Sequence, residues 1–315
     1  MNATTLKATV PPELRELNPD IDQQSIPAIA RDSSSITRIR ESIRDLATTH
    51  EVKLGDSRTT ELSPSSVHLV LTSPPYWTLK EYPKREGQLG EVVDYKNFLE
   101  CLRQVWQRCF EALVPGGRLI CVVGDVCLSR RQNGGRHCVI PLHADILKQC
   151  VSIGFDNLAP IIWYKIANME TESCSVGRTS YLGKPFEPNG ILKNEIEFIL
   201  MLRKPGGYRS PSQAARLLSV ISRDEHNLWF RQIWSDIQGE STKEHPAPYP
   251  VKLADRLIRM FSFVGDTVFD PFTGTATTQF AAMQCGRNSI GIEIEPTYHA
   301  AAKTRLDGDI FTRRS

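Results

Sequence analysis

The 315-residue chain has no apolar run approaching the roughly 20 residues a membrane-spanning helix requires. Its opening, MNATTLKATVPPELRELNPD, lacks the apolar segment of a secretory signal. Neither charge sign is in excess. The 38 Lys and Arg against 36 Asp and Glu leave a formal +2, which excludes a histone-like polycation, so any affinity for nucleic acid must come from local clusters. Cysteines 101, 109, 121, 127, 138, 150, 174 and 285 form no CxxC pair. That scatter predicts reduced thiols in a cytosolic compartment and argues against a structural zinc. What is present, 40% hydrophobic and 23% charged residues, suffices for a sizeable core in one large domain or one domain with insertions.

Short apolar runs alternate with helical patterns along most of the chain. VHLVLT, RLICVVGD, LAPIIWYK, IEFILMLRK, DTVFDPF and NSIGIEIE read as strands. Between them, YKNFLECLRQVWQRCFEAL, IPLHADILKQCVSIGF, PVKLADRLIRMFS and TATTQFAAMQCG carry helical spacing. This alternation predicts an α/β sheet with helices on both faces. Residues 1 to about 34, rich in Pro, Ser, Asp and Gln, read as an extended or weakly ordered lead-in, followed by a short amphipathic helix on Ile36, Ile39, Ile43 and Leu46. The stretch 166–235, interrupted by Gly and Pro, fits the alternation least and reads as an insertion.

Two segments carry chemistry. In VGDTVFDPFTGTATTQFAAMQCGRNSIGIEIEPTY a strand ends in DPF, a glycine turn follows, a helix starts among threonines, and the next strand ends in acids. A close-approach turn followed by a strand-end carboxylate is the arrangement that holds ribose hydroxyls; Glu293 stands 19 residues after Gly274. Only one glycine of a GxGxxG fingerprint is present, so a single nucleoside fits better than a dinucleotide. A plain strand-to-helix turn needing one glycine explains the same residues less specifically.

The second segment is HLVLTSPPYW. Two prolines end strand pairing and fix φ, so the carbonyls of Ser73 and Pro74 are rigidly aimed, with Pro75 and Tyr76 beside them at a strand's carboxyl end. A hydroxyl, fixed acceptors and an aromatic face suit an exocyclic amine on a flat ring. Acceptors that bind both amine hydrogens free the nitrogen lone pair from the ring. A base inside a duplex cannot reach such a pocket, so it would have to be flipped out. A Pro-Pro turn with an exposed aromatic is the plainer alternative.

TSPPYW followed by a C-terminal DPFTGTATT resembles the amino-methyltransferases of DNA, in the circularly permuted group where the catalytic motif precedes the S-adenosylmethionine motif. The likeness extends over roughly residues 52 to 305 and takes in LGDS, LVPGGRLICVVGD, HPAPYPVKLADRLI and GIEIEPTY. Its serine tetrapeptide is similar to that of N4-cytosine enzymes; N6-adenine methylation on the same fold is the alternative, and a catalytically silent DNA-binding protein is a second. The resemblance implies a Rossmann-like methyltransferase sheet, S-adenosyl-L-methionine as cofactor, double-stranded DNA as partner and a prokaryotic cytoplasmic setting, with room for a cognate restriction endonuclease. By position it makes Ser73 and the Pro74 carbonyl the amine acceptors and stacks Tyr76 on the base. It places Asp270, Phe272, Gly274, Thr275, Ala276 and Thr277 in the cofactor turn and Glu293 on the ribose. Asp56 would accept from the cofactor's adenine amine, and His245, Tyr249 and Pro250 would line its methionine end. Ala276 stands where the family usually has a second glycine, which is tolerable if its φ is negative. Glu295 reads as a solvated acid at a strand end, with a second ribose contact as the alternative. Carbon-5 cytosine methylation, which in its family uses a Pro-Cys nucleophile, is excluded because no Pro-Cys step occurs.

Between Phe198 and Arg223 lie Arg203, Lys204, Arg209, Arg216 and Arg223 with no acid, and Tyr208 stands in PGGYRSPS. Arg130, Arg131 and Arg136 form a second cluster in SRRQNGGR. Both suit phosphate contacts, although solvated loops would look the same. The expected organisation is thus an N-terminal extension (1–50), a catalytic part (51–165), a target-recognition region (166–235) and a cofactor part (236–315).

Overall fold

The computed structural model describes residues 3–20, 22–77, 83, 85–131, 133–165, 194–239 and 249–314. Its strands are β1 (His50–Leu54), β2 (Val67–Thr72), β3 (Leu113–Val123), β4 (Val126–Leu128), β5 (Cys138–Ile140) and β6 (Asp156–Tyr164), then β7 (Ile196–Arg203), β8 (Ile233–Trp234), β9 (Thr267–Asp270) and β10 (Asn288–Glu293). Eight of them form one sheet in the order β1, β10, β9, β2, β3, β7, β6, β8, while β4 and β5 pair as a separate hairpin. Within the eight-stranded sheet the pairings are parallel except those of β7, which runs antiparallel to both β3 and β6.

β9 and β2 lie side by side although they come from opposite ends of the chain, with Val70 opposite Phe269. β9 continues into β10 on one side of this seam, and β2 continues into β3 on the other. A seam where the chain departs in opposite directions opens a crevice at the carboxyl ends of its strands, which is where open α/β sheets bind ligands. The permuted order expected from the sequence is therefore present.

The helices are α1 (Ala3–Thr9), α2 (Ser25–Arg31), α3 (Ser33–Arg44), α4 (Tyr95–Ala112), α5 (Leu142–Ile153), α6 (Gln213–Leu218), α7 (Arg223–Trp229), α8 (Val251–Phe261), α9 (Thr277–Gln284) and α10 (Pro296–Arg314). α4 starts where the Asp94 carboxylate accepts from the Asn97 N–H. It buries Phe98, Leu102, Val105, Trp106 and Cys109 at helical spacing, and these pack with α5 residues Leu142 and Ile146 on one sheet face. The opposite face meets α8 and α9 through Leu253, Leu257, Ile258, Ala281 and Ala282.

The N-terminal segment departs from expectation. Leu6, Val10, Leu14 and Ile29 are buried with Ile36, Ile39 and Ile43 of α3 against Leu217 and Leu218 of α6 and Val264. Pro11 and Pro12 break the apolar stripe into short helices, so its period is invisible in the sequence although it packs as a third small core.

The 166–235 region is also redrawn. β7 is a full member of the sheet between β3 and β6, so residues 196–203 belong to the scaffold. Residues 166–193 lie outside the described ones.

Candidate functional site

The carboxyl end of β2 leads directly into Ser73, Pro74, Pro75 and Tyr76. Tyr76 is buried against the α4 side of the core, and its hydroxyl lies 3.2 Å from the Ser73 Oγ. Trp77 closes the segment: its indole N–H donates to the Val92 carbonyl at 2.9 Å, and its ring meets Tyr95 edge-on at 5.1 Å. The loop is thus pinned at both ends.

A cavity at the same sheet edge is lined by Ser73 and Pro75 together with Asp56, Phe272, Gly274 and Glu293, and also by Gly87, Leu89 and Tyr298. The first six are positions expected from the sequence. Tyr298, in the first turn of α10, belongs to the GIEIEPTY segment, which was the available signal; Gly87 and Leu89, in EGQLGE, offered none.

Glu293 ends β10. Its Oε2 accepts from the Gly274 N–H at 2.7 Å and its Oε1 from the Glu295 N–H at 2.8 Å. Each oxygen keeps a further lone pair. Burial pushes its pKa up to about 7, outweighing the backbone N–H donors that favour the charged form. A desolvated carboxylate with spare lone pairs, facing a cavity, suits paired hydroxyls such as those of a ribose. Asp56 lines the cavity too, but its carboxylate is already held by Arg58, at 2.5 Å from Nη2 and 3.0 Å from Nε.

Several positions expected in the cofactor turn have other work. The Asp270 carboxylate is fully buried and absent from the cavity wall. Its Oδ1 accepts from Thr72 Oγ1 at 2.7 Å and the Phe272 N–H at 3.0 Å, and its Oδ2 from Thr278 Oγ1 at 2.5 Å and the Tyr249 hydroxyl at 3.4 Å. Tyr249 is likewise consumed in this network, bonded to Thr278. Pro250 is the N-cap residue of α8. Thr275 and Thr277 face Arg305 of α10, whose Nη1 approaches the Thr275 carbonyl at 3.1 Å and the Thr277 hydroxyl at 3.4 Å. His245 lies outside the described residues.

Ala276 has φ +64°, so the negative φ required for an unstrained alanine is not met. Gly274 is also left-handed, at φ +54°. The turn therefore keeps the conformation that a glycine would adopt freely, and holds Ala276 there by burying it with Val52, Met283, Ala302 and Leu306. No side chain caps α9 at this residue, although the helix starts among threonines. Glu295 is buried and accepts from the Thr297 N–H at 3.2 Å, so it is no solvated acid.

The two basic clusters separate. Because β7 runs antiparallel, Phe198 pairs with Val123 at the catalytic end while Arg203 pairs with Arg118 at the far end. Arg203 is bonded to Asp156 at 2.8 Å, Lys204 donates to the carbonyls of Phe110 and Leu113 at 2.7 Å, and Arg209 grips both oxygens of Asp266 at 2.6 Å. Arg216 pairs with Asp20, and Arg223 lies 3.5 Å from Asp224. Tyr208 is exposed beside this group and follows the same far end of the sheet. These residues brace the side of the sheet opposite Ser73, which removes Arg203, Lys204, Tyr208 and Arg209 from a DNA interface next to the catalytic loop. The other cluster lies at the catalytic end: Arg130, Arg131 and Arg136 are exposed on the turn joining β4 to β5, just beyond the carboxyl end of β3. Gly134 and Gly135, at φ +56° and +83°, make that turn. Asp125, at its base, is 2.6 Å from His143 Nδ1, and His143 stacks on Phe198 at 3.7 Å.

Comparison with known proteins agrees with this fold. The chain is 34% identical over 283 residues to the Type II methyltransferase M.MjaI of Methanocaldococcus jannaschii, across 80% of this chain and 89% of that protein. It is 48% identical to the putative DNA modification methylase TTHA0409 of Thermus thermophilus, solved in complex with S-adenosyl-L-methionine, with a TM-score of 0.67 over 83% of this chain and 94% of that one. The fold is also that of the cytosine-N4-specific PvuII DNA methyltransferase, at a TM-score of 0.58 and 19% identity over 82% of this chain and 87% of that one. Residues 67–304 match the DNA methylase family of N6 and N4 methyltransferases, and the chain belongs to that family.

Proposed function

We propose that this DNA methylase uses S-adenosyl-L-methionine to methylate the exocyclic N4 amine of a cytosine flipped out of double-stranded DNA. The observation that carries the reading is the neutral Ser73 hydroxyl, 3.2 Å from the Tyr76 hydroxyl, at the edge of the cavity that ends in Glu293. Ser73 Oγ and the Pro74 carbonyl accept the two amine hydrogens, and Pro75 holds the turn rigid. Tyr76 presents its ring to the base. The cofactor supplies a methyl group on a cationic sulfur, already activated for in-line displacement, so little general-base assistance is needed. Phe272 and Gly274 form the wall where the cofactor's nucleoside would rest, and Glu293 accepts its ribose hydroxyls.

Digesting DNA to nucleosides after incubation with methyl-labelled cofactor tests the base. Label is expected in N4-methylcytosine; label in N6-methyladenine alone would transfer the same site to adenine.

Glu293 gives the cofactor step a pH dependence. Only the ionised carboxylate accepts from both hydroxyls, and burial raises its pKa to about 7. Cofactor affinity should therefore be full above that pH and fall below it, by about tenfold between pH 8 and pH 6. Titration calorimetry across this range measures it, and Glu293→Gln should bind weakly with no such slope.

The β4–β5 turn is the surface offered to the duplex. Replacing Arg131 and Arg136 together by alanine should weaken binding to all duplexes and reduce the slope of log affinity against log salt by about 2, roughly one unit for each phosphate no longer neutralised. An unchanged slope in an anisotropy titration would place the DNA elsewhere.

A further inference from the structure

Beside Tyr76, outside the cofactor cavity, lies a buried-edge ion pair. Glu197, buried on β7, and Lys165, directly after β6, meet at 2.6 Å between Oε1 and Nζ. Gly124, at the carboxyl end of β3, marks how close this pair comes to the catalytic loop. A Cβ placed on Gly124 would lie 3.4 Å from Glu197 Cγ, 4.0 Å from its Oε1 and 3.8 Å from Tyr76 Cε1. Glu197 and Tyr76 are therefore walls of one small space, and the lack of a side chain at residue 124 keeps that space open.

Lys165 is held in place from several sides. Its stem runs over Gly239, where an added Cβ would come within 3.0 Å of Cγ. Its ammonium lies 5.9 Å from the centre of the Trp163 ring, and Trp163 is itself anchored by its indole N–H on the Ile237 carbonyl at 2.9 Å. Yet Glu197 takes only one of three ammonium hydrogens, and among the described residues no other group accepts the remaining two. The lysine side chain remains 38% exposed. An ion pair serving stability alone would gain little at that exposure. A cation with spare donors, held by a carboxylate that stands next to the Tyr76 ring, has a better use.

We propose that Lys165, positioned by Glu197, donates a hydrogen bond to O2 of the flipped cytosine and so selects it over adenine. This rests on the cytosine reading above. Ser73 and the Pro74 carbonyl take the amine hydrogens, so the rest of the ring edge must face another wall, and in cytosine that edge carries two acceptors, N3 and O2. Adenine turned to present its amine in the same way carries a C–H where cytosine has O2. The ammonium then faces no acceptor there, and a donor that the bound base takes out of water without replacing its hydrogen bond is what a polar site rejects most strongly. Glu197 aims the lysine and does not itself touch the base.

The full-length enzyme, unmethylated genomic DNA and labelled cofactor suffice for the test. Lys165→Met should lower kcat/KM for N4-methylcytosine formation by about 10- to 100-fold while cofactor affinity and the melting midpoint stay close to wild type. Lys165→Arg, which keeps a donor, should recover part of the loss, and Glu197→Gln should show a smaller loss of the same kind. The ratio of N4-methylcytosine to N6-methyladenine should fall in Lys165→Met, a change that a structural brace would not produce. If Lys165→Met keeps the wild-type rate and ratio, or if Arg and Met at this position are equally poor with cofactor affinity lost in parallel, the inference is overturned. Wild-type enzyme making only N6-methyladenine would instead overturn the cytosine reading beneath it.

Discussion

Replacing Ser73 by alanine should lower the rate of methyl transfer by about 10² to 10³, with cofactor affinity changed by no more than a few-fold. The magnitude is that of removing one preorganised partner aimed at a reacting centre. Ser73 sits where the catalytic strand meets the cofactor cavity, and its hydroxyl is one of the two acceptors that would draw the amine hydrogens out of the ring plane. Alanine leaves the prolines, the buried Tyr76 ring and the Trp77 anchor on Val92 in place. Binding should survive while chemistry fails. Tyr76→Phe separates the neighbouring hydroxyl, 3.2 Å away, from the ring. If the ring's stacking is what matters, this variant should lose less than tenfold. Single-turnover kinetics with saturating cofactor distinguish these effects, and a Ser73→Ala rate within threefold of wild type would show that the hydroxyl is not an acceptor in the reaction. A wild type inactive on every DNA, with a Ser73→Ala variant that binds DNA as well, would favour a silent binding protein.

What the sequence made legible was local. Two consecutive prolines after a strand constrain their own backbone, so Ser73 and Tyr76 could be read without knowing the fold. Glu293 was legible for a related reason: a carboxylate at the end of the strand after a glycine turn is fixed by the βαβ unit itself. The failures were questions of direction and distance. Arg203, Lys204 and Arg209 form a basic run along the chain, but only the antiparallel direction of β7 decides that they lie at the end away from Ser73. Periodicity identifies a strand and not which way it points. Lys165 and Glu197 carried no local signal either, since 32 residues separate them and their importance depends on Gly124 and Tyr76 from two other strands. The buried lead-in escaped because its apolar residues are divided among short helices around prolines, and their partner, α6, is some 200 residues away.

Asp270 should prove the most sensitive residue for stability, for reasons the sequence concealed. A carboxylate before Pro-Phe at a strand end looks like a ligand residue, yet it accepts from Thr72, 198 residues away, and from Thr278, Tyr249 and the Phe272 N–H. It therefore ties the strand that carries Ser73, the cofactor turn, helix α9 and the entrance to α8 at one buried point. Asp270→Ala would leave the Thr72 hydroxyl and the Phe272 N–H without a partner and take the carboxylate acceptor from Thr278 and Tyr249, a cost of about 3 kcal/mol or more. For a chain of this size that corresponds to a fall of roughly 6 °C in melting midpoint. Asp270→Asn keeps one carbonyl acceptor and should cost less. Burial raises the Asp270 pKa above its ordinary value, which means the fold holds this proton more tightly than the unfolded chain does. The carboxyl therefore contributes most below the usual carboxylate range, and that contribution is lost as pH rises through the raised value. Asparagine cannot titrate, so the stability gap between wild type and Asp270→Asn should widen as pH falls. Thermal unfolding of both proteins from neutral to mildly acidic pH measures the gap, and one that narrows in acid would mean that the hydroxyl donors hold Asp270 ionised against its burial. Activity should follow the same network, because Thr72 immediately precedes Ser73: a variant that folds but releases Thr72 should bind cofactor and transfer methyl groups slowly.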